Sequence, residues 1–224
     1  GRKDFSQRLG RFIYNYQGED GLVLGLYGEW GSGKTSVINM VEEEIDELAE
    51  NDKNKPLIVR FSPWQYSDKD NLISLFFQSL TYKIDSKGKF KDELGKALNA
   101  YAEVFDPIAL LSPILGLKIV SKLMKKRIKL SYEKKADLDN RKKALEKALK
   151  KFKKKIVIVI DDIDRLTNTQ IRDIFQLVKS VGDLPYIIYI LAMDREIVER
   201  ALTEVHQTDG SRYLEKIIQM PVEL

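Results

Sequence analysis

The chain has 224 residues, 43% of them hydrophobic, and is long enough to bury a sizeable core without metal or disulfide cross-links. It contains no cysteine, which excludes disulfides, zinc–thiolate sites and thiol nucleophiles and fits a reducing compartment such as the cytoplasm. The net charge of +4 is unevenly distributed, because Lys118–Lys155 holds 17 Lys and Arg against 4 Asp and Glu.

The first part of the chain predicts helices and strands in alternation. Helical spacing of apolar residues indicates a short helix over Asp4–Ile13, and the apolar run Gly21–Tyr27 indicates a strand. An amphipathic pattern predicts a helix over Lys34–Glu50, followed by a second strand over Pro56–Phe61 and another helix after it.

The last part of the chain continues this alternation. Ile156–Ile160 consists of five β-branched residues, which is typical of a parallel strand covered on both faces. The pattern then predicts a helix over Gln170–Val181, a strand over Tyr186–Ala192, a helix over 197–205 and a fifth strand near Ile217–Val222. Strands alternating with helices predict a three-layer α/β fold.

An insertion separates the second and third strands. The 94 residues of Ser62–Lys155 far exceed the roughly 30 that a whole βαβ unit needs. We therefore predict a helical insertion at 90–144, with residues 1–89 and 145–224 forming the core. The insertion contains the apolar segment Pro107–Val120 and leads into a basic helix over Asp139–Lys154.

A glycine-rich motif follows the first predicted strand. Gly28–Thr35 (GEWGSGKT) matches the P-loop pattern G-x-x-x-x-G-K-[ST] and lies between an apolar strand and an amphipathic helix, as that loop requires. Backbone N–H groups of such a loop wrap a phosphate, and the dipole of the following helix favours the same anion. Lys34 would neutralise the β- and γ-phosphates, and the Thr35 hydroxyl would ligate Mg²⁺. The candidate residues for binding ATP or ADP are Gly28, Glu29, Trp30, Gly31, Ser32, Gly33, Lys34, Thr35 and Ser36.

Two carboxylates follow the third predicted strand. Asp161 would lie in the crevice where open α/β sheets bind ligands, and it would hold Mg²⁺ through the ion's water shell. Asp162 would orient or deprotonate the attacking water. The alternative is an acidic strand end that is merely solvated. The next residues, Asp164 and Arg165, are expected to pair with each other or with the following helix.

A further carboxylate and three aromatic residues have two interpretations each. Asp194, after the fourth predicted strand, is a candidate catalytic sensor of the γ-phosphate or the N-cap of the next helix. Trp30 in the P-loop would shield the phosphates or wedge the loop. Trp64 and Tyr66, after the second strand, are expected to be packing residues rather than a platform for base stacking.

Five segments together resemble the KAP family of P-loop NTPases. They are GLYGEWGSGKTS at Gly25–Ser36, FSPWQY at Phe61–Tyr66, IVIDDIDRL at Ile158–Leu166, ILAMDREIV at Ile190–Val198 and YLEKIIQMP at Tyr213–Pro221. They occur in the family's order and extend over most of the chain outside the insertion. This set is much more specific than a P-loop alone.

The resemblance implies an ATPase of the additional-strand class, with a parallel five-stranded sheet in the order 5-1-4-3-2. The residues that its motifs place at the nucleotide and metal are Gly33, Lys34, Thr35, Asp161 and Asp162. Many family members carry two transmembrane helices between the P-loop and Walker B strands, whereas Pro107–Val120 has only 14 residues. The family usually continues beyond the fifth strand, so we expect this chain to be a domain of a longer protein.

These motifs leave three functions open. The leading hypothesis is an ATP-hydrolysing switch or assembly motor in a larger signalling or defence protein, with other domains of that protein and further copies of itself as partners. The second is a nucleic-acid-dependent ATPase that uses the basic insertion as a clamp, although Lys118–Lys155 has few aromatic residues for stacking. The third is a nucleotide-binding interaction module with negligible turnover, against which the paired Asp161 and Asp162 argue.

The insertion allows three interpretations of its own. Its basic helix has an apolar stripe opposite a lysine-rich face. The stripe consists of Leu138, Leu145, Leu149 and Phe152. We favour a helical subdomain with solvated lysines over a peripheral contact with anionic lipid, and either of these over nucleic-acid binding.

Overall fold

The computed structural model describes residues 1–66, 72–85, 91–103, 130–206 and 209–224. The apolar segment Pro107–Val120 lies outside these ranges. The described residues form one parallel sheet flanked by helices, which confirms the predicted α/β class. Its strands are β1 (Leu22–Tyr27), β2 (Leu57–Phe61), β3 (Ile156–Ile160), β4 (Ile187–Met193) and β5 (Met220–Glu223).

Helices connect the strands at most of the predicted places. They are α1 (Arg2–Asn15), α2 (Lys34–Leu48), α3 (Leu72–Asp85), α4 (Lys91–Ala102), α5 (Leu130–Phe152), α6 (Asn168–Val181), α7 (Arg195–His206) and α8 (Gly210–Glu215). The basic helix α5 therefore begins nine residues before the predicted Asp139.

The start of the fifth strand was predicted wrongly. Ile217 and Ile218 belong to the turn that closes α8, because both of their backbone N–H groups donate to the carbonyl of Leu214. Their side chains are nevertheless buried. A buried apolar turn and a short buried strand present the same sequence pattern, which explains the error.

The strand order is β2-β3-β4-β1-β5, all parallel, which confirms the predicted order 5-1-4-3-2. β4 lies between β1 and β3, with Tyr27 opposite Met193 and Ile160 opposite Leu191. The carboxyl ends of these three strands therefore meet at one edge of the sheet, where parallel α/β sheets bind ligands.

Helices α1 and α2 pack against each other on one face of the sheet. Gly10 of α1 makes this close approach possible, because a Cβ there would lie 2.8 Å from the Cβ of Glu44 and 3.1 Å from the carbonyl oxygen of Val41. Next to this contact, the buried Glu44 carboxylate accepts a 2.8 Å hydrogen bond from Nε of Arg11. The C-terminal half of α1 is thereby held against the C-terminal half of α2.

Gly10→Ala is expected to destabilise the protein by up to about 2 kcal/mol. Overpacking costs about 1–3 kcal/mol, and the roughly 1 kcal/mol that alanine gains over glycine in a helix offsets part of that cost. Urea unfolding measures the change, and Lys3→Ala, at an exposed position of α1, serves as the control. A Gly10→Ala protein that is more stable than the parent would contradict the close packing of the two helices.

The chain divides into two compact units. One comprises Gly1–Leu72 and Lys153–Leu224, and the other Ile73–Phe152, which extends past the predicted insertion 90–144 on both sides. In the second unit, the ring of Phe77 on α3 meets that of Tyr101 on α4 edge-on at 5.8 Å. Helix α5 packs against α4, and Leu145 and Leu149 of its apolar stripe are buried.

Ion pairs also join α4 to α5. Nη1 of Arg141 lies 2.9 Å from a carboxylate oxygen of Glu103, and Lys151 pairs with Glu93. Among the described residues, no helix is long and apolar enough to cross a membrane.

Candidate nucleotide-binding site

The loop between β1 and α2 has the backbone shape that a phosphate nest requires. Gly31 and Gly33 have φ angles of 77° and 84°, in the left-handed region that favours glycine. Ser32 N–H donates to the carbonyl of Glu29 at 3.1 Å, and Gly28 N–H donates to the carbonyl of Met193 at 3.2 Å. The loop is therefore closed on itself and attached to the end of β4.

Lys34 lies inside this loop. Its side chain is only 9% exposed, and Nζ donates to the carbonyls of Gly28 at 2.8 Å and Glu29 at 3.1 Å. These two backbone oxygens hold the ammonium group inside the loop. A lysine that neutralises bound phosphates, as the sequence predicts for Lys34, must have its ammonium group at this place.

The buried hydroxyl of Ser32 adds an unsatisfied polar group to the same loop. Within the described part of the chain, its Oγ has no hydrogen-bond partner. Buried polar atoms are rarely left without a partner unless a ligand or water supplies one. A polyphosphate oxygen would accept this hydrogen bond, so the loop fits a nucleotide.

Thr35 and Asp161 meet although 126 positions separate them in sequence. The Thr35 hydroxyl donates to Oδ2 of Asp161 at 2.9 Å, because α2 begins beside the carboxyl end of β3. A hydroxyl and a carboxylate are the oxygen ligands that Mg²⁺ prefers. The described residues contain no group of three or more His, Cys, Asp or Glu placed to hold a metal. These two residues therefore fit Mg²⁺ that keeps several waters and phosphate oxygens as its other ligands.

Asp162 lines the same cleft as Lys34 and Thr35. Its backbone has a left-handed φ of 59° and begins the short 3-10 turn Ile163–Arg165. Burial raises the pKa of the Asp162 carboxyl, the negative charge of Asp161 raises it further, and the guanidinium of Arg165 opposes both effects. A carboxylate with a raised pKa in a cleft suits proton transfer.

The expected partner of Arg165 was wrong. Its Nε lies 2.7 Å from Oδ1 of Asp162, since Arg165 N–H donates to the Asp162 carbonyl and the turn folds the side chain back. One carboxylate oxygen of Asp164 is buried without a partner among the described residues.

Asp194 caps helix α7. Its Oδ1 accepts hydrogen bonds from the backbone N–H groups of Glu196 at 3.1 Å and Ile197 at 3.3 Å. Asp194 also lines a second cavity, on the β5 side of the P-loop, together with Gly28 and Ser32. It is therefore close to the loop but is not among the residues lining the cleft that contains Asp162. The capping interpretation describes its contacts, and the sensor role stays a prediction.

Two features of the site were not predicted. Nη1 of Arg2 lies 2.7 Å from the point that a Cβ of Gly33 would occupy, which places a cation of α1 at the P-loop. The guanidinium of Arg165 lies over the rings of Trp30 and Trp64, at 5.0 and 5.1 Å from their centroids. No local pattern indicates either contact, because each joins segments that are far apart in sequence.

The model of the KAP family P-loop domain matches residues 2–224. This chain belongs to the KAP family. The match confirms the resemblance that the five motifs indicated, and it includes the residues of the insertion.

This KAP domain is similar to a protein of Escherichia coli and to a solved structure from Aeropyrum pernix. The Phage T7 exclusion protein of Escherichia coli (strain K12) is 28% identical over 243 residues, which is 99% of this chain but 32% of that protein. The chain thus spans about a third of that relative. The ORC2 protein of Aeropyrum pernix, solved as ADPNP–ADP complexes, aligns over 99% of this chain and 47% of its own with a TM-score of 0.53. At 12% identity, this second likeness shows the fold alone.

Proposed function

We propose that this KAP domain binds ATP with Mg²⁺ and hydrolyses it, as a regulated switch or assembly motor within a larger protein. The observation that carries the proposal is the 2.9 Å contact between the Thr35 hydroxyl and the Asp161 carboxylate. It joins the P-loop helix to the end of β3 at the place where the metal of a P-loop NTPase is needed.

The residues of the chain have separate roles in this proposal. Lys34 and the N–H groups of the loop neutralise and orient the phosphates, and the unsatisfied Ser32 hydroxyl adds a donor. Asp162 orients the attacking water and accepts its proton, since its carboxylate lines the cleft and has a raised pKa. When bound, Mg²⁺ supplies positive charge to the β- and γ-phosphates, with Thr35 and Asp161 holding it.

The larger protein is proposed to act in defence. The Phage T7 exclusion protein aligns with almost the whole of this domain, which supports a comparable place for the domain in a longer chain. A nucleic-acid clamp is not favoured, because Arg141 and Lys151 of the basic helix pair with carboxylates inside their own unit. Expressing the longest natural chain with and without an intact Lys34 in cells challenged with phage tests this role.

Asp161→Asn is expected to remove most of the Mg²⁺ dependence of ATP binding. The neutral amide bonds the metal's water shell more weakly, so the gain in affinity on adding Mg²⁺ should fall by about 10- to 100-fold. Calorimetry with ATP, in Mg²⁺ and in EDTA, measures this gain.

Asp173→Asn is the matched control, because Asp173 pairs with Arg172 on α6 and does not line the cleft. An Asp161→Asn protein with the full Mg²⁺ effect would exclude Asp161 as a metal ligand.

A further inference from the structure

The guanidinium of Arg165 lies within cation–π distance of two indole rings. The centroid distances are 5.0 Å to Trp30 and 5.1 Å to Trp64, both within the range of cation–π contacts. These rings belong to different segments, since Trp30 is in the P-loop and Trp64 is in the 3-10 turn Pro63–Tyr66 after β2. They are the only tryptophans of the chain.

The two tryptophans are not in contact with Arg165 merely because they fill the core. Trp30 is 72% exposed and Trp64 is 40% exposed, although tryptophan buries a large apolar area when it serves as a core residue. Both rings instead lie against a charged group at the nucleotide cleft. The contact therefore joins the P-loop to the turn after β2 through Arg165.

The edge of the same guanidinium reaches the carboxylate proposed to activate water. Nε of Arg165 lies 2.7 Å from Oδ1 of Asp162, and both residues line the cleft with Lys34. Arg165 thus contacts the loop that would bind the phosphates and the side chain that would act on the attacking water. A guanidinium that contacts two aromatic rings and a carboxylate at once is restrained by all three, so it restrains the carboxylate in turn.

We infer that Arg165 is a positioning residue that couples phosphate binding in the P-loop to Asp162 and to the turn after β2. When phosphate binds to the loop, Trp30 changes position. The guanidinium passes this change on to the Asp162 carboxylate and to Trp64. This inference rests on the proposed function, because it requires a nucleotide in the P-loop. If the P-loop and Asp162 acted independently of each other, the site would not need Arg165 to connect them.

Intrinsic fluorescence tests the coupling directly. In a Trp30→Phe protein, Trp64 is the only tryptophan, and it does not line the cleft of Lys34 and Asp162. Saturating ATP with Mg²⁺ is expected to change the emission of Trp64. Adding Arg165→Gln or Arg165→Lys should abolish that change, since neither side chain has a guanidinium that can contact both rings and the Asp162 carboxylate at once. The lysine variant retains the charge and keeps the test valid if the glutamine variant does not fold.

The link to Asp162 has its own test in the same Trp30→Phe protein. Asp162→Asn replaces the ion pair with a weaker neutral contact and is expected to reduce the response of Trp64 to ATP. Asp173→Asn makes the same charge change at a residue that pairs with Arg172 and does not line the cleft, and it should leave the response as it was. Arg172→Gln is the control for loss of an arginine outside the cleft.

Parallel calorimetry separates the two hypotheses. If the Trp30→Phe and Arg165 variants bind ATP and Trp64 responds equally in both, the coupling is overturned while nucleotide binding stands. If Asp162→Asn leaves the Trp64 response unchanged, Arg165 does not position that carboxylate. If the parent protein binds no ATP, the proposed function fails and the coupling fails with it.

Discussion

Lys34→Ala is expected to abolish detectable ATP binding. The ammonium is buried inside the loop and is the only positive side chain between Gly28 and Thr35. Its removal takes the charge away from the phosphates and leaves the carbonyl oxygens of Gly28 and Glu29, which it now bonds, facing an anion. Losing one partner of a buried charged contact costs about 2–5 kcal/mol, which corresponds to about a 30- to 4,000-fold loss of affinity.

Calorimetry with ATP and Mg²⁺ measures this loss. Lys55→Ala is the control, since Lys55 is half-exposed and pairs at 2.9 Å with Asp46, outside the P-loop. Circular dichroism and urea unfolding of both variants show whether the fold is retained. A folded Lys34→Ala protein with the affinity of the parent would overturn the assignment of the loop as a nucleotide site.

Asp162→Asn is expected to retain ATP binding and to reduce turnover by about 10²–10⁴-fold, the range for losing a general acid or base. Asparagine has the same shape and tolerates the left-handed φ of 59° at this position. It can still meet Arg165 through its amide oxygen, but it cannot accept a proton. The change therefore separates the chemistry from the structure of the turn.

Phosphate release at saturating ATP measures the effect, with Asp164→Asn as the matched control. The measurement should use the longest natural chain as well as the domain, because an arginine from another subunit is worth about 10³–10⁵ in related reactions. Equal losses in the two variants would show that charge in the turn matters and that Asp162 has no special role. Parental turnover in Asp162→Asn would exclude it as the base.

The sequence alone determined the features that local patterns encode. The P-loop, the β-branched strand Ile156–Ile160 and the carboxylates after it are each contained in a few consecutive residues. The period of apolar residues distinguishes the long helices from the strands, because it follows from which side of each element is buried. The five motifs in their order were enough to identify the family and, through it, the order of the sheet.

Local patterns were insufficient where burial has no distinctive period. Ile217 and Ile218 are buried in a turn, but two adjacent apolar residues of this kind are equally typical of a short buried strand. Helix α5 begins at Leu130. Its first residues include lysines and a tyrosine, so the helical spacing of apolar residues becomes regular only after Asp139. The predicted boundaries of the insertion differ from those of the second unit because α3 packs with α4 there, as the contact of Phe77 with Tyr101 shows.

Only the tertiary structure decided which distant side chains share the site. The order β3-β4-β1 brings Thr35 to Asp161, and the packing of α1 on α2 accompanies the approach of Arg2 to Gly33. The turn after β3 directs Arg165 back to Asp162 and within cation–π distance of two tryptophans. Each of these contacts depends on the relative placement of whole elements, which is set by the burial of many side chains together. A short stretch of sequence predicts the chemistry of a residue, whereas its partner across the cleft is selected by the packing of the entire sheet.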